Sequence, residues 1–222
     1  MSDPRFRVVI LLGLALIVTA IWTFPSWYPI VNPDTVSVAY PGLPLEAQAD
    51  FALLPQEVKE AFFRLRDGDS RTNTPPRPAV ALALLNARLL GIDLVAPDEI
   101  QTAPIPSDAR VLRTGRFITP DPTRGATGTL TIYQTPDLRR FVRFQDEFSV
   151  TRAPDIHIVF TRNPDPYDAQ GVGVDYIDVG PLQYTVGTQT YEVPAGVDFG
   201  RYPILALYSP TLDFVISSAT LR

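Results

Sequence analysis

The chain has 222 residues, of which 45% are hydrophobic, and a formal net charge of −5. This length allows one domain of ordinary size plus an appendage, and this hydrophobic content excludes a globally disordered chain. The absence of cysteine excludes disulfides, thiolate metal sites and thiol redox chemistry, and an acidic balance without a basic run argues against nucleic acid as a partner.

An uncharged apolar run at residues 8–24 predicts a transmembrane signal-anchor helix within residues 1–25. Arg5 and Arg7 precede the run, so the positive-inside rule keeps the N-terminus in the cytoplasm and exports the rest. The bulky residues that end the run suit signal-peptide cleavage poorly, which favours an uncleaved anchor over a cleaved signal or a buried soluble helix. The predicted location is the cytoplasmic (inner) membrane of a bacterium, with a single pass and an extracytoplasmic C-terminal domain.

The next segments are predicted from proline content and helical periodicity. Residues 26–51 are proline-rich and predict an extended spacer, and residues 92–108 predict a linker. Residues 52–91 predict a small helical hairpin, whose second helix spans 80–90 and ends at Gly91. The first helix is predicted from an apolar stripe made of Leu54, Val58, Ala61, Phe62 and Leu65.

Residues 109–222 change from helical to strand periodicity. Alternation is clear around residues 155–160, where Ile156, Ile158 and Phe160 face one way and Asp155, His157 and Val159 the other. Many short strands between proline and glycine turns predict a mainly β domain, an antiparallel β-sandwich of about eight strands. The strands are predicted near residues 110–118, 127–134, 139–145, 155–161, 174–179, 186–193, 203–209 and 214–221.

Several motifs in this region follow one another in a recognisable order and spacing. They are Gly115-Arg116-Phe117, the strand from Pro154 to Ile158 with its Asp-Ile-His core, the turn from Asp178 to Leu182, the hairpin positions Gly187, Gln189, Tyr191 and Pro194, and the closing Tyr208-Ser209 and Ser217 to Leu221. On these residues, the chain from about 111 to 221 resembles the DM-thirteen domain family, which is related to the DOMON domains.

The resemblance implies an extracytoplasmic β-sandwich. It also implies electron transfer, which has been proposed for the family on the basis of a cysteine in the aromatic-Cys pair. The matching position in this chain is Ser209. Because a serine hydroxyl has no accessible redox couple, the implied redox chemistry lacks its residue here.

Five residues form a candidate ligand patch: Asp155, His157, Gln189, Tyr191 and Ser209. His157 is the only histidine, and it is expected to form hydrogen bonds within the sheet or, alternatively, to bind a ligand or a metal. Asp155 is expected to bond a neighbouring backbone N–H. Gln189 and Tyr191 lie on one face of their strand, where they either pack or contact a ligand.

No metal site, cofactor or catalytic constellation is predicted. One histidine and no cysteine cannot supply the several nitrogen or sulfur ligands of a zinc or copper site. The loop at 67–73 has calcium-like spacing, but it lacks a third oxygen ligand and a closing Glu, so it is more typical of a solvated turn. The loop at 163–171 is acidic and flexible, and calcium is a weak alternative there. No nucleophile elbow, Walker loop or dinucleotide fingerprint occurs in the sequence.

The sequence therefore predicts a non-enzymatic binding or interaction module at the cell surface. Its predicted partners are the membrane, through the single N-terminal helix, and a protein or small molecule outside the cytoplasm. Two alternatives remain open: a redox or electron-transfer domain, and a hydrolase with a carboxylate dyad.

Overall fold

The computed structural model describes residue 40 and residues 43–71, 75–89, 104–119 and 121–222. The chain divides into two compact units, residues 1–49 and residues 50–222. The predicted membrane segment at 8–24 lies outside the described residues, and so does most of the predicted linker at 92–108. Among the helices that are described, none is long and apolar enough to cross a bilayer.

Helix α1, Leu45–Leu53, begins inside the segment for which an extended spacer was predicted. Pro44 precedes the helix, and a proline there removes no hydrogen bond that the helix needs. The side chain of Gln48 bonds the backbone N–H and C=O of Tyr40 at 3.0 and 2.9 Å and the carbonyl of Leu43 at 3.1 Å. These bonds tie the residues before the helix to its first turns, and residues 45–51 are helical rather than extended.

Two further helices pack against each other within residues 50–222. They are α2, Gln56–Asp67, and α3, Pro78–Leu89. In α2 the buried side chains are Val58, Ala61, Phe62 and Leu65, four of the five in the predicted stripe. Gly68, with φ of 80°, ends α2 in a conformation that disfavours other residues.

The remaining described residues form strands and one short helix. These are β1 Arg110–Ile118, β2 Ala126–Thr127, β3 Thr129–Gln134, β4 Arg140–Phe144, β5 Ser149–Val150, β6 His157–Thr161, α4 Ala169–Val172, β7 Ile177–Pro181, β8 Gln189–Val193, β9 Ile204–Ser209 and β10 Phe214–Leu221. Each of the eight predicted strands overlaps one of these. The predicted mainly β, antiparallel class with small helices is confirmed.

Eight strands form one continuous antiparallel sheet in the order β7-β6-β9-β10-β1-β3-β4-β8. Its two outermost strands, β7 and β8, lie beside each other, so the sheet folds round until it is nearly closed. Strands β2 and β5 form a separate two-stranded sheet. Strand β10 pairs directly with β1, which joins the two halves of the sheet. A single curved sheet, rather than two independent sheets, therefore encloses the sandwich-like core.

The inner face of the sheet holds an aromatic core. Phe144 is fully buried and stacks on Phe148 with ring centroids 4.5 Å apart. Phe117 meets both of these rings at 5.6 and 5.3 Å, and Tyr191 meets Phe144 at 5.9 Å. Edge and offset contacts of this kind add to the stabilisation that burial of the rings provides.

The strand predicted at residues 127–134 is interrupted at Gly128, where φ is 95°. A Cβ atom at this position would lie 2.8 Å from the Cα of Phe148, so the close approach of the two backbones requires glycine. The interruption separates β2 from β3.

Strand β6 is covered on both of its faces. Ile158 and Phe160 face the inner core, and Val159 packs on the outer face against Val172 of α4 and Ala206 of β9. The predicted alternation is thus correct in direction, but the outer face of this strand is buried because α4, which was not predicted, covers it.

An arginine–aromatic cluster, defined by Arg77, Arg124, Tyr167 and Phe214, connects the helices to the sheet. Arg77 precedes α3, pairs with the carboxylate of Asp168 at 2.7 Å and lies 5.3 Å from the Tyr167 ring. Arg124 lies 4.7 Å from the same ring and 4.5 Å from Phe214. A guanidinium on an aromatic face is attracted by the ring quadrupole, so this cluster positions the hairpin on the domain.

Candidate functional site

Ser209, at the end of β9, is fully buried and makes two hydrogen bonds. Its hydroxyl donates to the carbonyl of Pro154 at 2.7 Å and accepts the backbone N–H of Leu212 at 3.3 Å. The residue therefore ties the loop before β6 to the turn between β9 and β10. This is the position at which the sequence resemblance implies a cysteine.

His157, the first residue of β6, lies between two carboxylates. Its Nδ1 is 2.8 Å from Asp178 Oδ2 on β7, and its Nε2 is 3.2 Å from Asp155 Oδ1. The contact with Asp178 has hydrogen-bond geometry, and the contact with Asp155 is within ion-pair distance. Both ring nitrogens of His157 are therefore occupied by carboxylates.

Asp155 itself is held in a conformation that is uncommon outside glycine. Its φ is 53°, and its Oδ2 accepts a hydrogen bond from Thr211 at 2.9 Å. The predicted bond from Asp155 to a neighbouring backbone N–H is replaced by these side-chain contacts. Together, Asp155, His157 and Thr211 bridge the β6 entry loop and the β9–β10 turn.

Neither His157 nor Ser209 fits a redox centre. An iron or copper ion bound to His157 would have to displace a carboxylate from one of its ring nitrogens. Ser209 has no redox couple, and its hydroxyl is committed to the backbone. In the part of the chain that the structure describes, no three His, Asp or Glu residues are placed to hold a metal ion.

Gln189 and Tyr191, on the inner face of β8, form a buried network with the loop that precedes it. The Tyr191 hydroxyl donates to Gln189 Oε1 at 2.5 Å and accepts the N–H of Gln183 at 2.8 Å. The Gln189 amide bonds both the N–H and the C=O of Tyr184, at 3.2 and 2.8 Å. These bonds fix the β7–β8 loop against the core.

Burial raises the pKa of Tyr191, because the ionised phenolate would lose its hydration inside the aromatic core. Burial also raises the pKa of Tyr208, on the outer face of β9, and the nearby carboxylate of Asp213 adds to that effect. Both hydroxyls are therefore held in their neutral form.

The five candidate residues fall into two groups in the structure. Asp155, His157 and Ser209 lie together around the β6 entry loop, and Asp178 joins them. Gln189 and Tyr191 form their own network on β8. Asp178 was noted in the sequence only as part of a turn motif, and its contact with His157 follows from the pairing of β6 with β7.

The acidic loop at 163–171, a weak calcium alternative in the sequence, ends in the first residues of α4. Asp168 caps this helix by accepting the N–H of Gly171 at 3.0 Å, and it also pairs with Arg77. The side chain of Asn163 donates to the carbonyl of Gly171 at 3.1 Å. These groups are used by the fold itself.

An open groove of about 560 Å³ lies on the outer face of the sheet, over strands β10, β1 and β3. Its volume falls within the range of small-molecule sites. Its lining includes no acidic side chain, and its polar members are Thr114, Arg116, Thr129, Thr131, Thr220 and Arg222.

Comparison with protein families gives one match. A family model described as Electron transfer DM13 matches residues 118–221, which is slightly less than half of the chain. Residues 118–221 are a DM13 domain. Comparison with curated proteins and with solved structures gave no match.

The DM13 domain comprises the whole sheet except most of β1. The resemblance stated from the sequence motifs is thereby confirmed. Within this domain, the position that the motifs align with the family cysteine is the buried, doubly bonded Ser209.

Proposed function

We propose that this chain is a non-enzymatic binding module, anchored in the cytoplasmic membrane by residues 8–24 and carrying its DM13 domain outside the cytoplasm. The observation that carries the proposal is that the polar candidate residues are bonded to one another or to the backbone, whereas the outer groove presents cationic and hydroxyl groups to solvent. Such a distribution suits recognition rather than bond making and breaking.

The hydrogen bonds of the DM13 domain support this interpretation. A general base or nucleophile needs an approach for a substrate, but Ser209 is fully buried and His157 has both ring nitrogens in contact with carboxylates. Gln189 and Tyr191 are buried at 2% and 8% exposure. Each of these side chains stabilises a loop.

Electron transfer is the second candidate function, and the family description favours it. A one-electron or two-electron carrier needs a group with an accessible potential, such as a thiol pair or an iron centre. The sequence contains no cysteine, and its one histidine is held between two acids. The residues present therefore do not fit a thiol or a histidine-ligated redox centre.

The two functions are distinguished by spectra and voltammetry of the full chain, purified in detergent. A binding module is expected to show protein absorption alone and no reversible current between about −400 and +400 mV, a range that covers many iron–sulfur and haem carriers. A visible absorption band, or a reversible couple that survives removal of loosely bound metal, would establish the redox function instead.

A further inference from the structure

The outer face of the eight-stranded sheet carries two cross-strand rows of threonine and arginine. In antiparallel pairs, directly opposed residues point to the same face, with neighbouring strands about 4.8 Å apart. The pairing places Thr220, Arg116 and Thr129 in one row. The second row runs from Arg222, which follows β10, through Thr114, Thr131 and Arg143 to Thr190 of β8. We call these two rows the threonine–arginine face.

Two arginines elsewhere in the domain have acidic partners. Arg139 pairs with Glu192, and Arg124 pairs with Asp121. Within the described ranges, no carboxylate lies within ion-pair distance of Arg116, Arg143 or Arg222. In a chain with a net charge of −5, these guanidinium groups attract anions, and one carboxylate, that of Glu147, lies beside Thr129 at the edge of the same face.

The hydroxyls of the rows are oriented by neighbouring polar groups. Thr131 Oγ1 accepts a hydrogen bond from Gln145 Nε2 at 3.1 Å, which leaves the hydroxyl its own proton to donate. Thr129 donates to Glu147 at 2.6 Å and can still accept. Thr190 Oγ1 is shielded from solvent and has no hydrogen-bond partner among the described residues, so Thr190 contributes no accessible hydroxyl to a ligand.

Recognition at this face must use side chains. Strand β1 is paired on both sides, with β10 and with β3, so its backbone cannot accept an added peptide strand. The groups that remain are guanidinium donors, which bind carboxylates in bidentate fashion, and several hydroxyls in regular rows. A chain of sugars that carries both hydroxyls and carboxylates matches this combination.

We propose that the threonine–arginine face binds an acidic polysaccharide, with Arg116 and Arg143 contacting its carboxylates and the threonines contacting its hydroxyls. This inference rests on the proposed binding function and names its site and ligand class. The groove of about 560 Å³ over β10, β1 and β3 would hold the part of the polysaccharide that contacts Arg116.

The test is calorimetric titration of the full chain in detergent with tetragalacturonate, with neutral maltotetraose and with hexaglutamate. We expect binding of tetragalacturonate that weakens with salt, and much weaker binding of the other two probes. Arg116→Gln is expected to weaken tetragalacturonate binding about tenfold, since it removes one charge-assisted pair. Thr220→Val, on the same row, is expected to weaken it about threefold.

Arg113→Gln is the matched control, because Arg113 is an exposed arginine on the same strand whose guanidinium donates to the carbonyl of Leu112. It is expected to leave tetragalacturonate binding unchanged, with circular dichroism confirming that all variants are folded. Equal binding of hexaglutamate, an equal loss in Arg113→Gln, or no binding of tetragalacturonate at millimolar concentration would overturn the proposal. None of these results depends on the spectra that test for electron transfer. Failure of the polysaccharide proposal can therefore be distinguished from failure of the proposed binding function.

Discussion

Replacement of Arg124 by methionine is expected to lower the free energy of unfolding by about 2–4 kcal/mol. The methionine keeps much of the side-chain volume but removes the guanidinium, which is 10% exposed, pairs with Asp121 at 3.0 Å and donates to the carbonyl of Val215. The Asp121 carboxylate would then be partly buried without its cation, and the attraction to the Tyr167 and Phe214 rings would be lost.

Arg139→Met is the control for this prediction. Arg139 also has a carboxylate partner, Glu192 at 2.8 Å, and an aromatic ring, Phe141 at 5.1 Å. Both members of this pair are 54% exposed, so the loss is expected to stay below about 1 kcal/mol. Urea unfolding of the full chain, monitored by far-ultraviolet circular dichroism, measures the free energy of unfolding of both variants. If Arg124→Met and Arg139→Met lowered the free energy of unfolding equally, burial of the arginine–aromatic cluster would contribute nothing to stability.

Tyr191→Phe is expected to destabilise the fold by about 1–2 kcal/mol at neutral pH. The substitution leaves the ring packing intact but deprives the N–H of Gln183 of its acceptor and Gln189 Oε1 of a donor. The β7–β8 loop is therefore expected to loosen, and hydrogen exchange at residues 183–188 would report this directly.

The same substitution is expected to change the response to alkaline pH. Burial raises the pKa of Tyr191 in the folded chain, so above about pH 10, the ordinary tyrosine value, the unfolded chain holds fewer protons than the folded one. Stability is then fully present below that pH and falls as pH rises. Stability should fall less steeply with pH in Tyr191→Phe than in the wild-type chain. The decrease that remains is due to Tyr167 and Tyr208, whose pKa values burial also raises.

Tyr133→Phe is the control, since Tyr133 lies half-buried on the outer face of β3. The free energy of unfolding of Tyr133→Phe is expected to change between pH 9 and 12 as that of the wild-type chain does. A wild-type slope that Tyr191→Phe leaves unchanged would contradict the assignment of the alkaline response to this buried hydroxyl.

The strands and the apolar stripe of α2 could be predicted because the spacing of apolar residues along the chain indicates them. Val58, Ala61, Phe62 and Leu65 recur at helical spacing, and Ile156, Ile158 and Phe160 alternate. The break at Gly128 could not be predicted in the same way, because it depends on the approach of a distant backbone at Phe148. Helix α1 could not be predicted, because the prolines at positions 25, 29, 33, 41 and 44 indicate an extended segment and local sequence does not show where that segment ends.

The candidate site could be predicted only as separate residues. His157 was singled out as the one histidine, but its contact with Asp178 depends on the register between β6 and β7. The threonine–arginine face has the same origin, because Arg116 and Arg143 lie on one face only once β1, β3 and β4 are paired. A strand pattern fixes which residues share a face within one strand, and the neighbours across strands follow from the fold.

The most direct test of the proposed function is to measure on which side of the membrane the DM13 domain lies. The chain contains no cysteine, so a single cysteine can be introduced by Ala195→Cys, in the exposed turn after β8. In spheroplasts, a membrane-impermeant maleimide is expected to label this variant, whereas Ser2→Cys, at the predicted cytoplasmic end, should be labelled only after lysis. Labelling of Ala195→Cys only after lysis would contradict export of the domain and the binding function built on it.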